Sequence, residues 1–253
     1  MDVHAPKPIH GWRDFLKEIG IVVIGVLIAL SAEQAVEALH WRNKIASAEQ
    51  AMRLELRDDD GHEGFVRLTA GRCLDSALVA MQQATARHAS TAELRALAAA
   101  YHPPLRVWDS EAWKAVLASD VGTHMGAARL VQWSAPYRLL PYLSELNARE
   151  GEYVADLNAS LPATGTASPA ELATFRRTVA QLRRVDDAMV GAAHMVLLRT
   201  AALGAGLDST TRDSLATIVR SAYGPCAHAP ELRSTSLTAV SGAADMRRWG
   251  LEQ

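Results

Sequence analysis

The densest run of reactive side chains is Asp58-Asp59-Asp60-Gly61-His62-Glu63. Carboxylates and an imidazole crowded like this are hard donors of the kind that take a divalent cation. A helix–loop–helix calcium site, however, alternates its ligands and closes on a glutamate at position twelve. Neither feature is present, so the run reads as an acidic turn at a solvated helix end. The nine histidines show no metal-ligand spacing, and H-E-x-x-H, C-x-x-C, a Gly-rich phosphate loop and G-x-S-x-G are all missing. His124 and His194 stand singly on partly apolar helical stretches, as core or boundary histidines do. These patterns point to no catalytic residue, no cofactor site and no metal site.

Two further features carry chemistry. Glu150 falls in register with Leu146 and Tyr153 on a helical face that should be buried. A buried carboxylate needs a partner or shifts its pKa upward. It is read as an ion pair or hydrogen bond with an arginine of a neighbouring helix, with a ligand-contacting acid in a bundle pocket as the alternative. The two cysteines, Cys73 and Cys226, are candidates for a disulfide. Closing a loop of about 150 residues would contribute near 5 kcal/mol at most in the chain-entropy model. Two unrelated thiols remain the alternative.

The elements that position these residues start from an apolar run at residues 19–30, IGIVVIGVLIAL, which has no polar side chain. Twelve residues are short for a membrane span, which needs about 20. Phe15 and Leu16 extend it on one side, with the Lys17 stem able to bury while its ammonium reaches the interface. Ala32, Ala35 and Val36 extend it on the other. Trp12 and Trp41 flank it as interfacial aromatics. Residues 15–36 then make roughly 33 Å of helix. A cleaved signal peptide, with Ala29-Leu30-Ser31 as its small-residue site, and a buried soluble helix are the rival readings. Gly25 and Ala29, four apart, form a small-xxx-small pair that lets two spans approach closely.

Apolar residues recur at three and four after the span, through Ile45, Ala48, Met52 and Leu56, so one helix should run over residues 11–57. A second should cover 62–88 on the stripe Phe65, Leu68, Cys73, Leu74, Ala77, Leu78, Met81 and Ala84. Ser90 and Glu93 have capping-box spacing for a short helix to about Ala100. Tyr101-His102-Pro103-Pro104 must be irregular. Asp109 or Ser110 should cap a helix through Leu117, and residues 120–126 read as a loop. The next helix either starts at Pro136 or is kinked by it, and carries Leu139, Leu143, Leu146, Glu150, Tyr153, Leu157 and Leu161. Ser168-Pro169-Ala170-Glu171 combines cap, first-position proline and capping-box glutamate, and opens a helix to Gly204 or Gly206. A last helix should span 209–222, stopped by Tyr223-Gly224-Pro225.

The fold class expected is therefore all-α: an amino-terminal transmembrane helix continuing into an extramembrane helical bundle. Residues 1–11 form a short tail, 12–37 the membrane helix, 38–222 the bundle and 223–253 a weakly structured tail. A formal net charge of −2 gives no pull on nucleic acid. Membrane lipid is the expected partner, together with a second copy of the chain or another protein. Lys7, Arg13 and Lys17 precede the span, and Arg42 and Lys44 follow it. That thin excess puts the amino terminus in the cytoplasm and the main domain in the periplasm.

The stretch WRDFLKEIGIVVIGVLIAL, followed by Glu33-Gln34 and His40-Trp41-Arg42, resembles the amino-terminal signature of uncharacterised single-span membrane proteins of bacteria. Ala112-Trp113, Ala118-Ser119 and His124-Met125 resemble their middle region. The resemblance implies membrane location and no particular activity, so no functional residue is carried over; the bacterial inner membrane is the expected location. Three functions are compatible with the chain. A membrane-anchored interaction or scaffold module needs only an anchor and a helical surface. A ligand-sensing extracytoplasmic bundle would need a partner protein for its output. An enzyme would need a nucleophile–base pair or a cofactor motif, and neither is visible.

Overall fold

Alanine-rich sequence with few strand formers favours helix, and among residues 11–230, which the computed structural model describes, every regular element is helical. The expectations for residues 1–10 and 231–253 fall outside the described residues. The elements are α1 (Trp12–Leu54), a π-helical segment (Glu55–Gly61), α2 (His62–Ala86), α3 (Thr91–Ala99), α4 (Glu111–Ala118), α5 (Val121–Met125), α6 (Ala127–Tyr137), α7 (Leu140–Ala159), α8 (Pro169–Ala202) and α9 (Ser209–Tyr223). The chain divides into two units, residues 1–48 and 49–253.

In the first unit no described side chain from 12 to 44 is buried. Ile21, Val22, Ile24 and Ile28 are all exposed. The helical run that holds them is long and apolar enough to cross a membrane, and none of its apolar window is covered by protein. A helix that is apolar all round needs an apolar surrounding.

The second unit is built on α2 and α8, which pack along each other, with α7 against α8 and α9 against α2. Leu74, Leu78 and Met81 of α2 meet Phe175, Val179 and Leu182 of α8 in one core that also takes in Leu157 and Leu94. Phe65, Leu197 and Ala216 make a second cluster, and Leu146, Val185 and Met189 a third. These are the apolar stripes expected from three-and-four spacing.

The start of α8 shows how local chemistry sets an end. The Ser168 side chain accepts from the Glu171 N–H, and the Glu171 carboxylate accepts from the Ser168 N–H at 2.6 Å. Pro169 stands in the first turn, where its missing N–H costs nothing. Ser168→Ala is expected to cost about 1 kcal/mol, a fall of about 2–4 °C in thermal midpoint. An unchanged midpoint would show that the cap contributes nothing. At α3 only half of the box forms. Ser90 accepts from the Glu93 N–H at 3.2 Å, but the Glu93 carboxylate pairs with Arg87 instead.

Three expectations are corrected. Asp58-Asp59-Asp60-Gly61 is no turn: the helix passes through it in π form. A Cβ at Gly61 would lie 2.8 Å from the Leu56 carbonyl oxygen, so glycine lets this backbone close. Residues 120–126 are not a loop. They form the short α5, whose turn is tied by the Thr123 hydroxyl donating to the Asp120 carbonyl at 2.7 Å, and whose Met125 is buried. Pro136 neither starts nor kinks a long helix. It sits in the last turn of α6, the chain breaks at Arg138 and Leu139, and Pro141 occupies the first turn of α7. The Ala135 carbonyl, left near that broken end, accepts from Arg199 at 2.6 Å.

Candidate functional site

Arg67 stands on the inner face of α2, in register with the buried Ala70, Gly71, Leu74 and Leu78. No solvent reaches its side chain or that of Glu150 on α7. One guanidinium nitrogen donates to Glu150 Oε2 at 2.8 Å. The other donates to Glu150 Oε1 at 2.8 Å and to Asp186 Oδ1 on α8 at 2.6 Å. The Tyr101 hydroxyl donates to Glu150 Oε1 at 3.4 Å. A forked, charge-assisted pair of this kind fixes the orientation of both partners, so three helices are tied at one point.

The electrostatics follow from one cation facing two anions in a dry interior. Burial by itself would depress the Arg67 pKa, but Glu150 and Asp186 outweigh it and hold the guanidinium protonated. Burial is the largest influence on Asp186 and lifts it to about 6, against the pull of Arg67. Burial and then Glu150 raise Tyr101, so its hydroxyl stays a donor. An aspartate raised in the folded state binds its proton more tightly there than when unfolded. Its contribution is therefore present in acid and is lost as pH rises through about 6.

Of the two readings of Glu150, the structure shows the ion pair with an arginine of a neighbouring helix. A carboxylate engaged through both oxygens and closed to solvent presents nothing to a ligand. Arg67 and Asp186 are buried charges that periodicity reveals only when polar residues are placed on the helical wheel with apolar ones. Asp186 follows Leu182 by four and precedes Met189 by three, inside the stripe of α8.

A second cluster surrounds the π-helical segment. Asp60 is fully buried rather than solvated. Its Oδ1 accepts from the Asp109 N–H at 3.1 Å, and its Oδ2 has no partner. Glu55, also buried, accepts from the Ala112 N–H at 2.7 Å through Oε2, while its Oε1 has no hydrogen-bond partner. Asp109 Oδ1 accepts from the N–H groups of Ser110 at 2.6 Å and Glu111 at 3.2 Å. The Tyr137 hydroxyl donates to the Met52 carbonyl at 3.3 Å, and its ring stacks on Trp113. Burial, then neighbouring Glu55, raises the Tyr137 pKa. Arg106 pairs with Glu63 at 2.8 Å, and its N–H donates to Asn147 at 3.1 Å, which anchors the irregular segment before α4. Among the described residues no group of three or more His, Cys, Asp or Glu is placed to hold a metal ion.

The remaining candidates are spread apart. Cys73 and Cys226 form a disulfide with Cα atoms 5.2 Å apart. It fastens the segment after α9 across α2, where Ala227 is buried and the His228 N–H donates to the Thr69 carbonyl at 3.1 Å. Gly224, at φ 84°, makes the turn that brings Cys226 back. Gly25 and Ala29 are exposed on α1, and a Cβ at Gly25 would meet nothing within 4 Å. His124 Nδ1 lies 2.9 Å from the Asp120 carbonyl oxygen. His194 is half-buried, which lowers its pKa. Comparison of the chain with models of known families, with curated proteins and with solved structures finds no match.

Proposed function

We propose that the chain is a membrane-anchored helical interaction or scaffold module, with α1 as its anchor and the unit from Glu49 onward as its working part. The observation that carries this reading is the apolar window of α1, none of which is covered by protein. Nothing in water stabilises an exposed apolar surface of that length, whereas a bilayer does. The resemblance of the amino-terminal stretch to bacterial single-span proteins supports the same reading. The charged groups of the working part favour a scaffold. Arg67, Glu150 and Asp186 are spent on holding helices together, and a rigid helical surface is what an interaction module needs.

The orientation proposed is an amino terminus in the cytoplasm of a bacterial cell and the main domain in the periplasm. The charge excess before the span supports it. So does the disulfide between Cys73 and Cys226, since such bonds persist in oxidising compartments. Two measurements test the proposal. An alkaline phosphatase fused after Gln253 should be active, and an inactive but stable fusion overturns the orientation. The protein should sediment with membranes through an alkaline carbonate wash. Recovery in the soluble fraction overturns the anchor. A pull-down in mild detergent should then return a second copy or a specific protein, and a chain recovered alone and monomeric counts against the interaction reading.

A further inference from the structure

The stretch between α3 and α4 has no regular structure, yet it is pinned down. Burial alternates along it: Pro104 inward, Leu105 outward, Arg106 half-covered, Val107 outward, Trp108 inward. Alternation of this kind is the period of an extended chain. The inward positions fix it. Pro104 and Trp108 are buried, the Arg106 N–H donates to the Asn147 side chain at 3.1 Å, and the Arg106 guanidinium pairs with Glu63 at 2.8 Å. Leu105 and Val107 are therefore held outward, 63% and 80% exposed. Single apolar residues on a surface are common, but these two share one side of a fixed chain.

Two further features mark this edge. Among the described residues, no main-chain hydrogen bond engages the N–H or the carbonyl of Leu105 or Val107. An extended edge with open main-chain groups is a template for a second extended chain. The other feature is charge. Leu105 lies over Gly151 of α7, where a Cβ would come 3.9 Å from the Leu105 Cδ2. Beside Gly151, on the solvent face of α7, stand Ala148 and Ala155 and then Glu152 and Asp156, all exposed. Glu152 and Asp156 are four apart, and like charges at that spacing repel. Neither forms an ion pair among the described residues, and Arg149 of the same helix is taken by Glu145. Cations brought by a partner would relieve the repulsion.

We propose that Leu105 and Val107 form a docking edge for an extended segment of another protein that carries apolar and basic side chains. This rests on the reading of the chain as an interaction module and names the surface that module uses. The main chain of the incoming segment pairs with the open N–H and carbonyl groups of the edge. Its apolar side chains cover Leu105, Val107 and the alanines of α7, and its basic side chains meet Glu152 and Asp156. The edge is already fixed by Arg106 and Trp108, so only the partner is ordered on binding, and a preorganised surface binds at lower cost.

The test uses the full chain in phosphatidylcholine nanodiscs, with empty discs as the blank. The probe is a fluorescein-labelled synthetic peptide, Lys-Val-Thr-Val-Thr-Val-Lys, followed by fluorescence anisotropy. It should bind about tenfold more tightly than the same peptide with glutamate ends, or with serine in place of valine. Val107→Asp should weaken it about tenfold or more, because an unpaired charge would be covered by apolar contacts. Glu152→Lys with Asp156→Lys should reverse the preference, so that the glutamate-ended peptide binds better, and this variant serves if Val107→Asp fails to fold. No binding, equal affinity for the three peptides, or an unreversed preference overturns the edge. In cells, a photo-crosslinking amino acid in place of Val107 should join the chain to an identified protein segment of apolar and basic composition. Crosslinks to a second copy of the chain or to lipid overturn the edge. The module reading fails separately: a partner returned by pull-down and retained by all these variants removes the edge and leaves the module standing.

Discussion

Arg67→Met is expected to destabilise the helical domain by about 3–5 kcal/mol, because it leaves Glu150 and Asp186 buried without their cation. Native domains have only about 5–15 kcal/mol in hand, so the loss should appear as a fall of about 6–20 °C in thermal midpoint. The deficit depends on pH in a defined direction. Without the guanidinium Asp186, already raised by burial, loses the cation that opposes that rise, so its contribution to stability in acid disappears as pH rises. The gap between variant and wild type should therefore be widest at alkaline pH and close as the buffer is acidified. Replacing the whole cluster tests the cause. Arg67→Met with Glu150→Leu and Asp186→Leu removes all three charges, and buried ion clusters replaced by apolar residues are often neutral or better. Circular-dichroism melts of the full chain in detergent decide between these outcomes. An Arg67→Met midpoint equal to that of the wild type at pH 8 would show that the cluster does not hold α2, α7 and α8 together.

Removing the disulfide is the second large change. Cys73→Ala with Cys226→Ala should cost about 2–5 kcal/mol, since the bridge closes a long loop and restricts the unfolded chain. The sequence separation is 153 residues, and a loop that long puts the expected cost near the upper end of that range. The native state should suffer locally as well. The His228 N–H bond to Thr69 and the burial of Ala227 depend on the segment after α9 being held down on α2. Exchange protection at residues 224–230 should fall well before global unfolding, while the α2–α8 core keeps its protection. Alkylation of the wild-type protein without reductant should label no cysteine. Two labelled thiols in protein taken from native membranes, or an unchanged melt in the double variant, would remove the bridge from this account.

What could be read from the chain alone was whatever depends on neighbours in sequence. The apolar run at residues 19–30, the stripes of α2, α7 and α8, and the capping box at Ser168 and Glu171 are local patterns with one physical outcome each. An all-α class follows from them. Glu150 could be placed on a buried face for the same reason, and the two cysteines could be named as a candidate pair.

The partners were another matter. Arg67 meets Glu150 across 83 positions and Asp186 across 119, and no local rule selects that arginine from the many in the chain. The acidic run shows the limit most clearly. Four carboxylates in six residues prefer water, and a turn ending in glycine was the local solution. In the fold the helix continues through the run in π form, and Glu55 and Asp60 accept N–H groups at the start of α4 instead of water. Pro136 is a similar case. Either position suits its missing N–H locally, and in the fold it ends α6, where the neighbouring Ala135 carbonyl is met by Arg199 of α8, a donor that no local pattern shows. Burial and long-range donors set these outcomes, and both exist only once the helices have packed.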